Sequence, residues 1–348
     1  MTYKDLFYFT GHCLALDDHP QFREHFIELF QAEGADLENF VQLCSNHLII
    51  PAIYLKLKAH DILAYLPKDF IQAFKEIYDL NYERNLQILK QIEDITTVLN
   101  KENIQPVFLK GSANLLDGVY SDVGERMIGD IDFLVSESDY LRTAAILEDQ
   151  GYQHGEIYNF DFKNHKHYPT LCKEGEVAAI EIHWLPVRRE HAHQFNSKVV
   201  LSDKKIIEGK PELYVPSDNH KLIHTFIHSQ LEDRGHAYKQ SSFRGFYDLY
   251  LLSKRVDVSS LVDHSGYKKK AISWLVFGQL VFGLQGRFYT TETIGARIFC
   301  WKYDRSLSFV KTHNFYNIFK RHTLTFFKAF YSSDQRQRIY RKLKRMVP

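Results

Sequence analysis

The sequence is poor in cysteine and has no excess of charge of either sign. Its four cysteines, Cys13, Cys44, Cys172 and Cys300, lack the paired spacing of a disulfide framework, which favours free thiols in a reducing cytoplasm. Lysine and arginine number 44 against 43 acidic residues, so no global basic field marks nucleic acid as the main substrate. The N-terminus, MTYKDLFYFTGH, has no charged start followed by an apolar run and a small-residue cleavage site. We therefore expect a cytoplasmic protein without a signal peptide.

The sequence also lacks an apolar run that is long enough to cross a bilayer. The uncharged stretch AISWLVFGQLVFGLQG, residues 271–286, is shorter than the roughly 20 residues that a bilayer requires, and Gln279 interrupts it. This stretch predicts a buried core helix, so no transmembrane segment is expected. The C-terminal tail, QRQRIYRKLKRMVP, is basic with few apolar anchors. We expect a solvated helix end there, with contact to an anionic partner as the alternative.

Hydrophobic and aromatic residues, in contrast, are plentiful. The chain has 348 residues, 45% of them hydrophobic, with 26 phenylalanines and 21 tyrosines, which is enough for a large core and several substructures. Residues 1–100 place apolar positions at helical spacing and predict four or five helices. Residues 101–215 contain strand-like apolar runs, which include ELYV at 212–215 and an expected edge segment at 151–158. Residues 216–348 return to a helical pattern. This order predicts an α+β fold, with a small mixed sheet between an N-terminal helical region and a C-terminal helical domain.

The run IGDIDFLV at residues 128–135 places Asp130 and Asp132 two apart in a predicted buried strand. Side chains two apart on a strand share a face, and two carboxylates on a mostly buried face repel each other and lose hydration. A divalent cation that neutralises both makes such a pair tolerable. A strand end with two solvated acids is the alternative, and the spacing alone does not decide between them.

A third acid lies on another predicted strand further along the chain. The run VAAIEIHW, residues 177–184, is apolar except for Glu181 and His183, which again lie two apart. We expect His183 to point toward the same cleft as Glu181, where an orienter of Glu181 or a satisfied core histidine is favoured over a metal ligand. His165 and His167 fall in a polar stretch, where surface histidines are expected.

A turn upstream of the acid pair has the features of a phosphate site. The apolar run QPVFL, residues 105–109, predicts a strand that leads into Lys110, Gly111 and Ser112. Ser112 is the predicted N-cap of a helix over Ala113–Tyr120, and the unpaired backbone N–H groups of a helix N-terminus suit phosphate. Gly111 permits close approach of a phosphate, and Lys110 adds a positive charge.

Taken together, the Gly-Ser turn, the Asp-x-Asp strand and the neighbouring acid resemble the nucleotidyltransferase superfamily that includes DNA polymerase beta. The stretches FLKGSANLL, Arg126 ahead of GDIDFLV, IEIHW and FRGFYDLYLL are similar to those of a bacterial family of mostly uncharacterised nucleotidyltransferases. The resemblance covers about residues 40–255, and NHLIIPAIYLKL is similar to that family's N-terminal helices. It implies a small mixed nucleotidyltransferase sheet with a helical region on each side.

The resemblance implies a magnesium-dependent transfer of a nucleoside monophosphate from a nucleoside triphosphate to a hydroxyl acceptor, with release of pyrophosphate. Asp130 and Asp132 would bind Mg²⁺, two ions in all, with Mn²⁺ as the alternative metal. Glu181 would complete the second metal site or accept the proton of the acceptor. ATP is the expected nucleotide, and the acceptor is a small molecule or a protein.

The same resemblance assigns the triphosphate to the turn. Gly111 and Ser112 would hold the β and γ phosphates, and Lys110 or Arg126 would offset the charge that builds on the leaving pyrophosphate. Arginines in loops near acids are more often salt-bridge partners, so Arg126 ranks as a candidate only. His183 completes the set of residues expected beside the nucleotide.

Two residue pairs in the C-terminal helices also invite a functional interpretation. Arg244 and Asp248 in FRGFYDLYLL lie four apart, which predicts an intrahelical ion pair or a buried pair bracing the site. His224 and His228 lie four apart on a helix that Ser217 is predicted to cap. We favour a helix packed on the catalytic sheet, with one histidine reaching the nucleotide, over a zinc site.

The rival hypothesis is a non-catalytic nucleotide- or partner-binding protein on the same fold, such as an antitoxin-like or scaffold component. A binding module has no reason to hold three unpaired carboxylates together, which counts against this hypothesis. A hydrolase or phosphotransferase that uses the same metals is a third hypothesis, and it would release orthophosphate.

Overall fold

The chain forms one mixed β-sheet with helices before and after it, so the predicted α+β class is confirmed. The structure is a computed structural model that describes residues 1–32, 36–155, 165–240, 242–310, 312–314 and 317. The strands of these ranges are β1 (Val107–Phe108), β2 (Asp130–Leu134), β3 (Gln153–His154), β4 (Leu171–Cys172), β5 (Ala179–His183), β6 (Lys204–Ile207) and β7 (Lys210–Pro216).

The two acid-bearing strands are parallel neighbours at the centre of the sheet. The strand order is β3-β4-β5-β2-β1-β7-β6. β2 runs parallel to β5 and β1 runs parallel to β7, whereas the other neighbours are antiparallel. The strands predicted at QPVFL, IGDIDFLV, VAAIEIHW and ELYV are present. β6 was not predicted, because its sequence KKII has too short an apolar part to stand out. The predicted edge segment at 151–158 contains β3 and lies outside the described residues from 156 onward.

Helices fill the part of the chain that precedes the sheet, as the helical spacing of residues 1–100 predicts. They are α1 (Tyr3–Leu14), α2 (Phe22–Gln31), α3 (Leu37–Asn46), α4 (Ile50–Ala59) and α5 (Lys68–Lys101). With 34 residues, α5 is long enough to pass along the sheet and contact the loops that lead into both acid-bearing strands.

The remaining helices connect the strands or follow the sheet. They are α6 (Lys110–Leu116), α7 (Tyr140–Asp149), α8 (Ser197–Ser202), α9 (Asp218–Phe226), α10 (Gly235–Tyr238), α11 (Phe243–Leu252), α12 (Leu261–His264), α13 (Lys268–Val281) and α14 (Ile294–Ser308). Ser217 caps α9 as predicted, because its side chain accepts the backbone N–H of His220. Beyond its last residue, α9 continues into a π-helix over Ile227–Glu232.

Residues 271–281 of the uncharged stretch lie in helix α13, as the prediction of a buried core helix requires, and the helix ends before the stretch does. Most of α13 is buried, including Trp274 and Gln279, whose side-chain oxygen accepts two backbone N–H groups of the chain that follows. Within the described ranges, no helix has the length and apolar character to cross a bilayer. The basic tail at 335–348 lies outside the described residues.

Helices from the two ends of the chain share one core. The ring of Phe7 in α1 lies 4.4 Å from that of Phe243 in α11, and Tyr8 donates a hydrogen bond of 2.5 Å to Asp304 in α14. Phe277 of α13 stacks on Tyr303 of α14 at 3.9 Å. This packing fixes α11, which forms one wall of the cleft described below.

Helix α5 holds the long loop between α6 and β2. Asn81 donates to the carbonyl of Gly124 at 2.7 Å, and Asn85 donates to the carbonyls of Val123 and Arg126 at 2.6 and 2.8 Å. Arg84 donates to the carbonyls of Ile128 and Gly129. These side chains satisfy backbone groups that no strand or helix pairs, so a loop of thirteen residues between α6 and β2 is fixed in place.

The close approach of this loop to α5 requires glycine at position 124. A Cβ atom on Gly124 would lie 2.7 Å from Cε2 of Tyr78 and 3.0 Å from Cβ of Tyr82. We expect Gly124→Ala to lower the free energy of unfolding by about 1 to 3 kcal/mol, measured by urea denaturation, because the loop must move away from the helix.

Gly129 provides the matched control in the same loop. A Cβ atom there would meet nothing within 4 Å, and the residue does not adopt a positive φ. Gly129→Ala should leave the free energy of unfolding unchanged or raise it slightly. Equal effects of the two substitutions would contradict the role given to Gly124.

Candidate functional site

Four polar side chains share one face of the two central strands. β2 and β5 pair in parallel register, with Asp132 beside Glu181 and Leu134 beside His183. Residues two apart on a strand point to the same side, so Asp130 and His183 lie on the face that Asp132 and Glu181 share. The sheet therefore brings together the three acids and the histidine that the sequence spacing singled out.

Asp132, Glu181 and His183 form a compact group of candidate metal ligands. Nε2 of His183 lies 2.8 Å from Oδ1 of Asp132 and 3.5 Å from Oε2 of Glu181. One ligand atom from each residue lies within 4.8 Å of the other two. Asp132 and His183 are buried, and Glu181 is half-buried. Two carboxylates and an imidazole at these separations can hold one divalent cation.

Both ring nitrogens of His183 face hydrogen-bond acceptors. Nε2 faces Asp132, and Nδ1 lies 3.3 Å from the carbonyl oxygen of Leu185. A ring that carries one proton donates to only one of the two acceptors. Metal-binding histidines commonly donate their other ring N–H to a backbone carbonyl, as Nδ1 can here. In the structure as it stands, the proton on Nε2 is donated to Asp132. A shift of that proton to Nδ1 would open the Nε2 lone pair to a cation.

The ammonium group of Lys110 neutralises the acids. Its Nζ donates to Oδ1 of Asp132 at 2.5 Å and lies 3.8 Å from Oε2 of Glu181. Burial raises the pKa of Asp132, but Lys110 and the hydrogen bond from His183 outweigh burial and hold this pKa well below its usual range. Lys110 has a φ of 51°, a left-handed conformation that is strained for a residue with a side chain. The ion pair is one of the contacts that hold this conformation.

Asp130 has a different environment from Asp132. It is half-buried at the start of β2, and it does not belong to the group of ligand atoms within 4.8 Å. Burial, the negative charge of Asp132 and that of Glu181 raise the pKa of Asp130, and the more distant Lys110 offsets only part of this rise. Asp130 is therefore the acid that the protein's own cations neutralise least.

The turn after β1 differs from the predicted helix start. α6 begins at Lys110 with Leu109 as N-cap and ends at Leu116, so the prediction of Ser112 as N-cap of a helix over Ala113–Tyr120 is wrong. The hydroxyl of Ser112 is buried and donates to the carbonyl of Asp130 at 3.3 Å, which ties the helix to the acid strand. A Cβ atom on Gly111 would make an ordinary 3.5 Å contact with Ile128.

Asp248 pairs with Arg126 and not with Arg244. Arg126 donates to both carboxylate oxygens of Asp248, at 3.3 Å from Nε and 3.1 Å from Nη2, and Tyr120 donates to the same carboxylate at 2.8 Å. Burial lowers the pKa of Arg126, but Asp248 outweighs burial and raises it above its usual value. The predicted intrahelical pair is therefore wrong, because a loop arginine reaches both oxygens in the fork geometry that guanidinium favours. The pair braces the site by joining the loop to α11.

A cleft of about 260 Å³ separates the acid strand from the helices that follow the sheet. Lys110, Gly111, Arg126, Asp130 and Asp132 line one side, and the other side comes from α9, the π-helix and α11. The helical side contributes the side chains His224, His228, Asp233 and Arg244. The sequence signalled His224 through its spacing from His228, but nothing in the sequence signalled that Arg244 faces the acids.

His167 also reaches the site, contrary to the expectation of a surface histidine. Its Nε2 lies 3.9 Å from Oε2 of Glu181, and its ring lies 5.1 Å from that of His183. Burial and the neighbouring His183 lower the pKa of His167 to about 4. Nδ1 lies 2.7 Å from the carbonyl of Tyr168, so a neutral ring that donates there presents the lone pair of Nε2 toward Glu181. An antiparallel β-bridge between His167 and His183, the last residue of β5, places His167 beside the acids. No sequence motif predicts this contact.

Comparison with known families identifies the same region of the chain. A family model described as uncharacterised nucleotidyltransferase matches residues 33–285, which is more than half of the sequence and includes the sheet, the cleft and both of its walls. No curated protein matches the chain.

The ion pair at the centre of the site leads to a prediction about stability and pH. Lys110→Met leaves Asp132 buried without its ammonium partner, and we expect the free energy of unfolding at pH 7 to fall by about 3 kcal/mol. A carboxyl with a lowered pKa in the folded state stabilises the protein above about pH 4, its unfolded value, and loses this effect as the pH falls through the lowered pKa. The difference between wild type and variant should therefore shrink below about pH 4 in urea denaturation.

Lys75 supplies the control for this substitution. It pairs with Asp79 on an exposed face of α5 at 2.6 Å. Lys75→Met removes the same charge, and we expect little change at either pH because exposed ion pairs contribute little. A difference for Lys110→Met that stays constant down to pH 3 would contradict the role of Asp132 as its partner.

Proposed function

Because the chain belongs to the uncharacterised nucleotidyltransferase family, and is thus an enzyme of that class, we propose that it moves a nucleoside monophosphate from a nucleoside triphosphate to a hydroxyl acceptor, with release of pyrophosphate. The observation that carries this proposal is the alignment of Asp132 and Glu181 on parallel strands, with His183 beside them. The proposed nucleotide is ATP, and the proposed acceptor is a small molecule or a protein.

The residues present fit a divalent metal. Asp130, Asp132 and Glu181 would hold Mg²⁺, two ions in all, because carboxylate and phosphate oxygens are its preferred ligands. Mn²⁺ is the proposed alternative, since carboxylate oxygens suit that ion as well. Metal bound there would lower the pKa of the acceptor hydroxyl and neutralise charge on the triphosphate.

Glu181 is suited to receive the proton of the acceptor hydroxyl. Burial raises its pKa, but the hydrogen bond from His183, with Lys110 nearby, outweighs burial and lowers it, so the carboxylate is ionised near neutral pH. His167 lies next to Glu181 with a low pKa of about 4. A neutral imidazole at that position can accept a hydrogen bond and orient the acceptor. Glu181 acts either as this base or as a ligand of the second metal.

The turn at the start of α6 would bind the phosphates. The backbone N–H groups of Gly111 and Ser112 lie in the first turn of the helix, where no helical carbonyl is available to them. The hydroxyl of Ser112 already donates to the carbonyl of Asp130, so we assign the phosphate contact to its backbone. Lys110 pairs with Asp132 here, and its ammonium group would be able to contact a phosphate oxygen if a metal neutralised the acids. Arg126, held by Asp248, adds fixed positive charge to the same wall.

Isothermal titration with ATP, CTP, GTP and UTP in the presence of Mg²⁺ tests nucleotide binding. We expect at least one nucleotide to bind, and we expect the double substitution Asp130→Asn and Asp132→Asn to abolish binding in the presence of Mg²⁺, because the metal loses two carboxylate ligands. Asp263→Asn removes an exposed acid that faces Lys268 and should bind as wild type does. Binding that is unchanged in the double variant would contradict the site.

Release of pyrophosphate over a panel of acceptors separates transfer from binding alone. Turnover with pyrophosphate release is the expected result. Nucleotide binding without turnover on any acceptor would favour the non-catalytic hypothesis, and release of orthophosphate would favour a hydrolase or phosphotransferase.

A further inference from the structure

The helical wall of the cleft carries two polar groups that the rest of the protein leaves without strong partners. They are the guanidinium group of Arg244, near the start of α11, and the imidazole of His224, near the end of α9. Both line the same cleft as Asp130 and Asp132.

Arg244 is a cation without a carboxylate. Among the described residues, its guanidinium donates to the carbonyl of Met127 at a long 3.5 Å, and no acid forms an ion pair with it. Asp248, four residues later on the same helix, is bound on both oxygens by Arg126. Burial lowers the pKa of Arg244 and repulsion from Arg126 lowers it further, while the more distant carboxylates of Asp248 and Asp130 offset only part of this fall. A half-buried guanidinium in this state costs stability, unless an anion from outside the chain neutralises it.

His224 is a buried imidazole with an unsatisfied nitrogen. The residue is 3% exposed, and within the described part of the chain its Nε2 has no hydrogen-bond partner. Burial lowers the pKa of His224 well below its ordinary value, and the positive charge of Lys110 lowers it further, so the ring is neutral. Buried polar atoms of native proteins are rarely left unpaired, so Nε2 of His224 is available to a water molecule or to a ligand atom in the cleft.

The packing of two helices places these groups over the cleft. A Cβ atom on Gly245 would lie 3.3 Å from Cβ of Ser229 in the π-helix, so α11 and the π-helix approach each other closely beside Arg244. The π-helix continues α9, which carries His224 one turn earlier. π-helical turns are rare and are frequent at functional sites.

We propose, building on the function proposed above, that Arg244 and His224 bind the terminal phosphate of the nucleoside triphosphate and make the enzyme select triphosphates over monophosphates. Arg244 neutralises the phosphate through its fork of N–H groups, and the ring of His224 supplies one further hydrogen bond.

The position of Arg244 favours the triphosphate over an anionic acceptor as its ligand. Arg244 contacts Met127, and the next residue, Ile128, packs on Gly111 of the phosphate-binding turn. Glu181, which faces the acceptor in the proposed reaction, is not among the described residues that line this cleft. These contacts place the guanidinium group beside the turn that the proposed function assigns to the phosphates.

Calorimetric titration of Arg244→Ala with ATP, AMP and tripolyphosphate, each with Mg²⁺, tests the proposal. We expect affinity for ATP and tripolyphosphate to fall roughly 10- to 100-fold, as for loss of a charge-assisted hydrogen bond, and affinity for AMP to change less than about twofold. The affinity of Arg244→Lys for ATP and tripolyphosphate should lie between that of wild type and that of Arg244→Ala. Arg297→Ala, which removes an exposed arginine paired with Glu292, is the matched control and should bind all three ligands as wild type does.

The melting temperature without ligand separates a binding role from a structural one. Arg244→Ala and His224→Phe should melt at the wild-type temperature or above it, because each removes a group that lacks a strong partner in the free protein. ATP with Mg²⁺ should then stabilise both variants less than it stabilises wild type. A lower melting temperature without ligand, together with normal stabilisation by ATP, would overturn the proposal.

Three other outcomes are distinct. If ATP and tripolyphosphate bind Arg244→Ala as tightly as wild type, while the Asp130 and Asp132 substitutions abolish binding, the proposal fails and the proposed function stands. If only acceptor binding weakens, Arg244 belongs to an acceptor subsite and the proposal is overturned. If wild type binds neither nucleotide nor tripolyphosphate, the proposal for Arg244 and His224 fails together with the proposed function.

Discussion

Two carboxylates that face each other across parallel strands cannot stay charged in a protein interior unless cations lie beside them. Asp132 and Glu181 are in this position because β2 and β5 pair in register, and Lys110 with His183 supplies the compensating contacts. Lys110 reaches Asp132 because β1 passes directly into α6 next to β2, with Lys110 in a left-handed conformation. The left-handed conformation of Lys110, its ion pair with Asp132 and the register of β2 with β5 therefore depend on one another. A metal bound by the acids would replace Lys110 as their counter-charge and leave its ammonium group for the substrate.

The helical parts of the chain determine whether this charged face can work as a site. Helix α5 satisfies the carbonyls of the loop that leads into β2, and Gln91 of the same helix donates to the carbonyl of Ala178 just before β5. On the other side, Asp248 of α11 holds Arg126 of the loop. Side chains of α5, which bind backbone carbonyls, and Asp248 of α11, which binds the loop residue Arg126, thus position the acids from opposite sides. The cleft exists because α11 and the π-helix stand over the face that these contacts fix.

The features of the site that could be predicted from the sequence are those that follow from local periodicity. The spacing of two placed Asp130 with Asp132 and Glu181 with His183, because alternation is a property of the strand itself. It did not reach the pair of Arg126 and Asp248, which are 122 positions apart, or the contact of Lys110 with Asp132, because nothing in local sequence specifies such partners. The start of α6 was misplaced for the same reason, since contacts with the acid strand override the capping preference of serine.

The most direct test of the central claim is an anomalous difference map from crystals grown with Mn²⁺ and a non-hydrolysable ATP analogue. We expect an anomalous peak within bonding distance of carboxylate oxygens of Asp132 and Glu181, with the triphosphate beside it and Lys110 moved from Asp132 to a phosphate oxygen. A map in which Lys110 stays on Asp132, no peak lies beside Glu181 and the nucleotide binds elsewhere would contradict the account.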